Sequence, residues 1–192
     1  MGRLDGKVCV ITGAGGGMGR EAALVFSAEG ARVCVADVDA DAAARTASDA
    51  SGAFAVEVDV ADEASVRRMY DATVERYGAV HVLYNNAGIS PADDASILDT
   101  DVAAWQRVQD VNTKGVYLCC KHGIPHLLEA GGGSVINVAS FVALVGAATS
   151  QISYTASKGA VLALSRELAV QFARQGVRVN ALCPGPVETP LL

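Results

Sequence analysis

The sequence contains no apolar run long enough to cross a bilayer, and its first residues lack the apolar core of a signal peptide. Basic residues are also in the minority: 15 Lys and Arg stand against 21 Asp and Glu, which gives a formal net charge of −6. An acidic balance of this kind is unfavourable for nucleic-acid binding. We therefore predict a cytoplasmic protein with neither a nucleic-acid partner nor a membrane partner.

The cysteines are odd in number and lack the spacing of metal ligands. Three of them fall in predicted strands and two in a predicted helix. We therefore predict that they are reduced and act as small buried hydrophobes. No other cluster of metal ligands is visible, so no metal site is predicted. The cysteines are Cys9, Cys34, Cys119, Cys120 and Cys183.

Strands and helices alternate along the chain, without internal repeats or linkers. Strands joined by helices of this length require right-handed crossovers and a parallel sheet. The hydrophobic content of 51% agrees with a sheet that helices cover on both faces. The sequence predicts one α/β domain over residues 1–192, built on a doubly wound parallel sheet. The predicted strands are 7–11, 32–36, 53–58, 80–84, 134–139 and 177–183; the predicted helices are 20–29, 40–50, 63–77, 102–130 (bent near Pro125) and 152–175.

A glycine-dense turn joins the first predicted strand to the first predicted helix. It does not fit G-x-G-x-x-G, but it reads T-G-x-x-x-G-x-G through Thr12, Gly13, Gly17 and Gly19, with Met18 before the last glycine. Glycines permit the backbone angles of such a turn and let a phosphate approach the chain. The helix that follows adds about half a positive charge of dipole. The turn predicts a dinucleotide site; a glycine-rich surface turn without a ligand is the alternative.

Asp37 closes the second predicted strand, 20 residues after Gly17. A carboxylate at that position can accept hydrogen bonds from the adenosine ribose hydroxyls, and it repels a 2′-phosphate. We therefore predict NAD as the cofactor, with NADP disfavoured. The alternative is an aspartate that only caps the next turn.

Candidate catalytic side chains lie in the second half of the chain. Tyr154 and Lys158 are four residues apart in a predicted helix, so they share one face. A tyrosine hydroxyl has a reference pKa of about 10, and a neighbouring ammonium group would lower it. Ser140 follows the fifth predicted strand, at the edge where α/β folds bind ligands. The Tyr-Lys spacing by itself would also fit a solvated helix face.

Several of these segments, in order, resemble the short-chain dehydrogenase/reductase family. They are the T-G-x-x-x-G-x-G turn, Asn85-Asn86-Ala87-Gly88, Asn112, Ser140, Tyr154-x-x-x-Lys158 and Pro184-Gly185. The resemblance covers essentially the whole chain and implies a three-layer Rossmann-type fold. In this family, NADP-using members often place a basic residue in the glycine turn, and positions 14–16 hold none.

The resemblance also implies roles for the catalytic candidates. Tyr154 would be the general acid in reduction and the general base in oxidation. Lys158 would lower the pKa of Tyr154 and bind the nicotinamide ribose, and Ser140 would orient the substrate oxygen. Asn112 would hold a water of the proton path, through a local break in its helix.

The resemblance further implies a set of cofactor-binding residues, in which Asp59 and Val60 lie near the adenine and Thr189 reaches the nicotinamide carboxamide. The complete set is Thr12, Gly13, Gly17, Met18, Gly19, Asp37, Asp59, Val60, Asn86, Ala87, Gly88, Tyr154, Lys158, Pro184, Gly185 and Thr189.

The predicted function is hydride transfer between NAD(H) and a secondary alcohol or ketone by a Ser-Tyr-Lys mechanism. Two alternatives stay open: an NADPH-dependent 3-oxoacyl-acyl-carrier-protein reductase, and a non-catalytic dinucleotide sensor with a Rossmann fold. The apolar stretch 141–147 favours a largely apolar substrate, although packing alone explains it equally well. The expected partners are a small alcohol or ketone and further copies of the chain, in a homodimer or homotetramer.

The last predicted strand, 177–183, would be an open apolar edge if nothing followed it. Such edges are aggregation hazards that proteins normally cover. Family members continue with a substrate lid, a helix and another strand. We therefore expect the natural chain to continue past Leu192, with the C-terminal lid and the last strand missing from the sequence at hand.

Overall fold

The structure, a computed structural model, describes residues 2–189. Strands and helices alternate along this part of the chain as predicted. The strands are β1 (Val8–Thr12), β2 (Arg32–Asp37), β3 (Phe54–Glu57), β4 (Val82–Asn85), β5 (Gly133–Val138) and β6 (Val177–Leu182). The α-helices are α1 (Gly17–Ala28), α2 (Ala40–Asp49), α3 (Glu63–Tyr77), α4 (Val102–Gln109), α5 (Gly115–Glu129) and α6 (Ile152–Phe172).

All six strands are parallel and form one sheet, in the order β3-β2-β1-β4-β5-β6. The chain starts in the middle of the sheet, runs out to one edge, and then returns to fill the other half. The order reverses between β1 and β4, and this reversal opens a crevice at the carboxyl ends of the strands, where doubly wound folds bind ligands. The predicted Rossmann-type sheet is confirmed.

Two apolar cores make the fold three-layered. One lies between the sheet and α3, α5 and α6, and it includes the fully buried Met69, Tyr70 and Leu83. The other lies between the sheet and α1 and α2, and it includes Ile11 and Val33. Both faces of the sheet are therefore covered, which explains why the strands read as nearly continuous apolar runs.

The structure corrects some predicted boundaries. The first helix begins at Gly17, three residues before the prediction, because the glycine turn itself forms the helix N-terminus. The long predicted helix 102–130 is interrupted by a π-helical segment, Asp110–Lys114, whereas α5 continues through Pro125. Such π segments often mark functional sites.

All five cysteines are free, as predicted. Four are buried, and burial raises the pKa of the thiols of Cys9, Cys34 and Cys120 to about 12. Cys183 follows the end of β6 and is only half-buried, which corrects the prediction for that residue.

Within residues 2–189, β6 pairs only with β5 and lies at one edge of the sheet. The lid that the sequence predicts would begin after β6, and the part of that prediction that falls on residues 190–192 lies outside the described residues. No helix in the described range combines the length and apolarity needed to cross a membrane. The same range contains no group of three or more His, Cys, Asp or Glu side chains placed to hold a metal ion.

Candidate active site

The glycine turn lies between β1 and α1, at the carboxyl edge of the sheet. Gly13 and Gly17 have positive φ angles of 63° and 51°, which side chains rarely adopt. A Cβ atom at Gly19 would lie 2.1 Å from the carbonyl oxygen of Gly13. The turn therefore needs glycine at these three positions for its shape.

The N-terminus of α1 offers donors to an anion. Its first flanking residue is Gly16, which supplies no side-chain cap, and its first turn contains no acidic residue. A Cβ atom at Gly16 would meet nothing within 4 Å, so the space in front of this helix end is open. Backbone N–H groups and the helix dipole at such an end favour a phosphate. The residues present therefore fit the pyrophosphate of a dinucleotide.

Asp37 lies beside the same turn. Its Oδ2 accepts a hydrogen bond from the backbone N–H of Gly15 at 2.8 Å, and its Oδ1 accepts one from the N–H of Asp39 at 3.0 Å. The second contact caps the turn that follows β2, as the alternative interpretation of Asp37 predicts. The first contact fixes the carboxylate against the glycine turn.

The Asn85–Gly88 segment joins the ends of β4 and β1. The side-chain amide of Asn86 donates to the carbonyl oxygens of Thr12 and Gly13, at 3.1 and 3.0 Å. The Thr12 hydroxyl in turn accepts hydrogen bonds from the backbone N–H groups of Asn86 and Ala87. These bonds cross the point at which the strand order reverses, so the segment braces the crevice.

Asp59 and Val60 follow β3. The Asp59 carboxylate is exposed and accepts a hydrogen bond from the N–H of Ala61 at 2.8 Å. Val60 is buried and lies against Gly115, where an added Cβ atom would come within 2.8 Å of the valine side chain. The two residues lie at the carboxyl edge of the sheet, with Asp59 exposed and Val60 in the core.

Ser140, Tyr154 and Lys158 converge at the carboxyl end of β5. The Lys158 ammonium nitrogen lies 5.5 Å from the centre of the Tyr154 ring and donates to the carbonyl oxygen of Val138 at 2.8 Å. Ser140 is buried, and its hydroxyl accepts a hydrogen bond from the N–H of Val142 at 3.4 Å. The structure thus brings together the three side chains that the sequence placed on two separate elements.

Burial shifts the pKa values of both titratable groups in this cluster. It raises the pKa of the Tyr154 phenol above its ordinary value, and a hydrogen bond with Ser140 offsets part of that rise. Burial also lowers the pKa of Lys158 to about 8. The sequence predicted a lowered pKa for Tyr154, whereas in the structure burial raises the pKa of this phenol. Positive charge must outweigh desolvation before the phenol ionises near neutral pH.

Asn112 lies in the π-helical segment, where a local break in the helix was expected. Its Oδ1 accepts a hydrogen bond from the N–H of Ile89 at 2.8 Å, and its amide nitrogen donates to the carbonyl of Ile89 at 2.9 Å. The same nitrogen donates to the Ser157 hydroxyl at 3.1 Å, and that hydroxyl donates to the Tyr154 carbonyl at 2.7 Å. Both amide hydrogens of Asn112 are therefore used within the protein.

The segment after β6 lies near the serine. The backbone N–H of Phe141 donates to the carbonyl oxygen of Pro184 at 3.0 Å. Gly185 is exposed, and a Cβ atom there would meet nothing within 4 Å. Thr189 is the last described residue, and its proposed contact with a nicotinamide stays a prediction.

Two polar side chains next to the cluster were not predicted from the sequence. Ser157 links Asn112 to the backbone of Tyr154, as described above. Asp94, in the segment between β4 and α4, is buried and accepts hydrogen bonds from the N–H groups of Ser153 and Tyr154. An aspartate in a polar loop carries no local signal that distinguishes it from its exposed neighbour Asp93.

Known proteins are similar to this chain in sequence and in fold. A family model described as short chain dehydrogenase matches residues 7–192. The chain is 42% identical, over 191 residues, to 2-(R)-hydroxypropyl-CoM dehydrogenase of Xanthobacter autotrophicus, a match that covers 96% of this chain and 76% of that protein. It is 42% identical, over 189 residues, to meso-2,3-butanediol dehydrogenase of Serratia marcescens, covering 97% and 74%. The solved structure of 3-ketoacyl-(acyl-carrier-protein) reductase from Brucella melitensis complexed with NADH is similar at a TM-score of 0.92 and 37% identity, covering 98% of this chain and 79% of that chain.

Proposed function

Because the chain belongs to the short-chain dehydrogenase family, we propose that it transfers a hydride between NAD(H) and a secondary alcohol or the corresponding ketone, with Ser140, Tyr154 and Lys158 as its catalytic residues. Family membership makes the protein an oxidoreductase that uses NAD(P) and acts on CH–OH groups. The choice of NAD and the Ser-Tyr-Lys mechanism are the parts that we propose.

The observation that carries this proposal is the convergence of the three side chains at one strand end. The Ser140 hydroxyl acts on Tyr154 in the direction that lowers the pKa of the phenol, and the Lys158 nitrogen is 5.5 Å from the centre of the tyrosine ring. A non-catalytic dinucleotide sensor would need neither a buried lysine nor a hydroxyl pair at this position. The arrangement therefore favours catalysis over sensing.

The side chains would divide the proton chemistry among them. In alcohol oxidation, the Ser140 hydroxyl holds the substrate oxygen, and the Tyr154 phenolate accepts the hydroxyl proton as general base. Lys158 stabilises that phenolate by its positive charge and opposes the desolvation that raises the pKa of the phenol. In ketone reduction, the Tyr154 phenol returns the proton. When bound, the nicotinamide cofactor supplies the hydride chemistry.

We propose that Asn112 contributes to the proton path in a different way from the one that the family resemblance implies, in which its side chain holds a water. Its side-chain amide is held by Ile89 and Ser157, so it positions the backbone around Tyr154. The π segment that contains Asn112 interrupts the regular hydrogen-bond ladder, and a water at this irregularity would continue the path toward solvent.

The cofactor preference rests on the charges around the glycine turn. The Asp37 carboxylate is fixed against Gly15, where its negative charge would repel a 2′-phosphate. Arg20, at the start of α1, is already paired with Glu21 and Asp49 at 2.9 Å each. A 2′-phosphate at this turn would meet the Asp37 carboxylate, and the nearby Arg20 guanidinium already has two carboxylate partners, which favours NAD.

The dinucleotide would contact the proposed set of residues along the crevice. The glycine turn and the N-terminus of α1 would hold the pyrophosphate, and Asp37 the adenosine ribose. Asp59 and Val60 would lie near the adenine. The Asn86–Gly88 segment, Lys158, Pro184, Gly185 and Thr189 would lie toward the nicotinamide.

The exposed apolar side chains after Ser140 favour an apolar substrate. Leu144 and Val145 are 63% and 58% exposed, so core packing does not account for them. They lie a few residues beyond Ser140 and would line the substrate side of the cluster. A 3-oxoacyl-acyl-carrier-protein reductase is the second candidate, since a solved reductase of that kind is similar to this chain.

We also propose that the protein is cytoplasmic and that it forms a homodimer or a homotetramer. An open groove of about 440 Å³ lies along α4, the π segment, α5 and α6, and the half-exposed Tyr117 lies at its wall. Light scattering coupled to size exclusion measures the assembly state.

The Tyr154→Phe variant tests the catalytic assignment. Oxidation of a panel of secondary alcohols with NAD⁺, and reduction of ketones and acyl thioesters with NADH and NADPH, should fall by at least about 10²-fold, because the general acid–base group is lost. NADH binding, followed by fluorescence, should stay within about twofold, since the phenol acts on the substrate proton.

Tyr77→Phe is the matched control, because Tyr77 lies at the end of α3, where its hydroxyl donates to the Gly52 carbonyl, and its loss should leave turnover unchanged. Retention of more than a few per cent of activity by Tyr154→Phe would refute the acid–base assignment. A wild-type protein that reduces acyl thioesters only with NADPH would favour the reductase alternative.

A further inference from the structure

The N-terminus of α6, the helix that carries Tyr154 and Lys158, lacks a local cap. Its flanking residue, Gln151, supplies no side-chain hydrogen bond to the helix. The first N–H groups of any α-helix have no partner within the helix and need one from elsewhere. In α6 these partners come from a segment about 60 residues earlier in the chain.

That segment lies between β4 and α4. The carbonyl oxygen of Ala95 accepts a hydrogen bond from the N–H of Ile152 at 3.2 Å. The Asp94 Oδ1 accepts one from the N–H of Ser153 at 2.9 Å, and its Oδ2 accepts one from the N–H of Tyr154 at 2.7 Å. Asp94 is only 5% exposed, so water does not compete effectively for these bonds.

We propose that Asp94 is a positioning residue that sets the place of Tyr154 for proton transfer. The proposal rests on the function proposed above. Both carboxylate oxygens are occupied, one of them by the backbone of the tyrosine itself. Hydrogen bonds from N–H groups to an ionised carboxylate are stronger than neutral ones, and a negative charge at a helix N-terminus is favourable.

The same segment also reaches the other side of the tyrosine. Ile89 is held by Asn112 through both its N–H and its carbonyl. Asn112 reaches the Tyr154 carbonyl through Ser157. The backbone of Tyr154 is therefore held at its N–H by Asp94 and at its carbonyl by the Asn112 network. A small shift of the first turn of α6 would move the phenol relative to Ser140, and misplacement by about 1 Å can cost about 10²-fold in rate.

The neighbouring aspartate provides a matched control. Asp93 is exposed and makes a surface ion pair with Arg107 on α4, with oxygen-to-nitrogen distances of 2.8 and 2.6 Å. Surface pairs of this kind contribute little to stability. Asp93→Asn therefore removes a charge one residue away without touching α6.

The experiment compares Asp94→Ala, Asp94→Asn and Asp93→Asn in the full chain, at a temperature at which each variant is folded by circular dichroism. We expect kcat to fall by about 10- to 100-fold in Asp94→Ala. In Asp94→Asn the loss should be smaller, because one acceptor oxygen remains. Asp93→Asn should stay within twofold, and NADH affinity should change less than twofold in all three.

Amide hydrogen exchange supplies a readout that does not depend on turnover. The N–H groups of Ser153 and Tyr154 should exchange at least tenfold faster in Asp94→Ala than in Asp93→Asn. If Asp94→Ala does not fold, Asp94→Asn carries the test, with the same direction of change at smaller size.

Two results would overturn the proposal while the function stands. One is that the Asp94 variants are folded and keep the wild-type kcat. The other is that the folded Asp94 variants lose turnover while the N–H groups of Ser153 and Tyr154 exchange as slowly as in the wild type. If the wild-type protein oxidises no secondary alcohol and reduces no ketone, the proposed function fails, and the positioning role fails with it.

Discussion

Lys158→Met should change how the stability of the cofactor-free protein depends on pH. The Lys158 side chain is 3% exposed, and within residues 2–189 its ammonium group has the Val138 carbonyl as its hydrogen-bond partner. Burial lowers its pKa from 10.5 to about 8. Below pH 8 the fold therefore holds a buried charge that the unfolded chain keeps in water.

The magnitude follows from the two pKa values. A fall from 10.5 to about 8 corresponds to about 3 kcal/mol, at about 1.4 kcal/mol for each pH unit. The cost is present in full below the folded pKa. Above pH 8 the unfolded state binds more protons than the folded state, so stability rises with pH until the unfolded lysine also deprotonates. Between pH 7 and pH 9.5 the gain for this group is about 2 kcal/mol.

Urea unfolding of wild type and Lys158→Met at pH 7 and 9.5, under reducing conditions and without cofactor, measures this gain. The buried cysteines titrate in both proteins, so their contribution cancels in the difference. The lost hydrogen bond to Val138 adds an offset that does not vary with pH. The wild type should therefore gain about 2 kcal/mol relative to the variant between the two pH values.

Lys121→Met is the matched control. Lys121 is half-exposed, and its hydrogen bond with Glu63 raises its pKa. It stays protonated at pH 9.5 in the folded protein, so its removal should produce no comparable gain. A difference between wild type and Lys158→Met that does not change with pH would refute the assignment of a buried, charged lysine beside Tyr154.

The remaining predictions concern the glycine turn and its neighbour. Asp37→Ser combined with Val38→Arg should shift the ratio of kcat/KM values toward NADP(H) by about tenfold or more, since repulsion is removed and a phosphate partner is added; a wild type that already prefers NADPH in paired kinetics would contradict it. Gly19→Ala should destabilise the cofactor-free protein by about 2 kcal/mol in urea unfolding, because its Cβ would meet the Gly13 carbonyl at 2.1 Å. Gly16→Ala, whose Cβ meets nothing within 4 Å, should be neutral in the same assay, and equal effects of the two would refute the steric argument.

Much of the fold could be predicted from the sequence because the patterns that indicate it are local. Apolar β-branched runs predicted the strands, and glycine and helical periodicity marked the helices that join them. A parallel sheet places all strand ends at one edge, so Asp37 and Ser140 could be assigned to that edge without knowledge of strand order. The shared face of Tyr154 and Lys158 followed from helix geometry. The break at Asn112 followed only from the family resemblance.

Other properties depend on residues that are distant in sequence. The pairing of β1 with β4 lets Asn86 bond to Thr12, 74 residues away, and no local pattern specifies that contact. Asp94 is recruited to α6 across 60 residues, although in sequence it looks the same as the exposed Asp93.

The direction of the Tyr154 pKa shows why the sequence alone could not complete the site. The i, i+4 spacing places an ammonium group near the phenol, and that neighbour by itself would lower the pKa. Desolvation depends on everything that packs around the phenol, and in the folded protein it raises the pKa. The sequence alone determined which side chains share a helix face or follow a strand end, because spacing and strand ends are local. The tertiary structure decided which distant groups meet and in which direction their pKa values shift, because contacts and burial are properties of the whole fold.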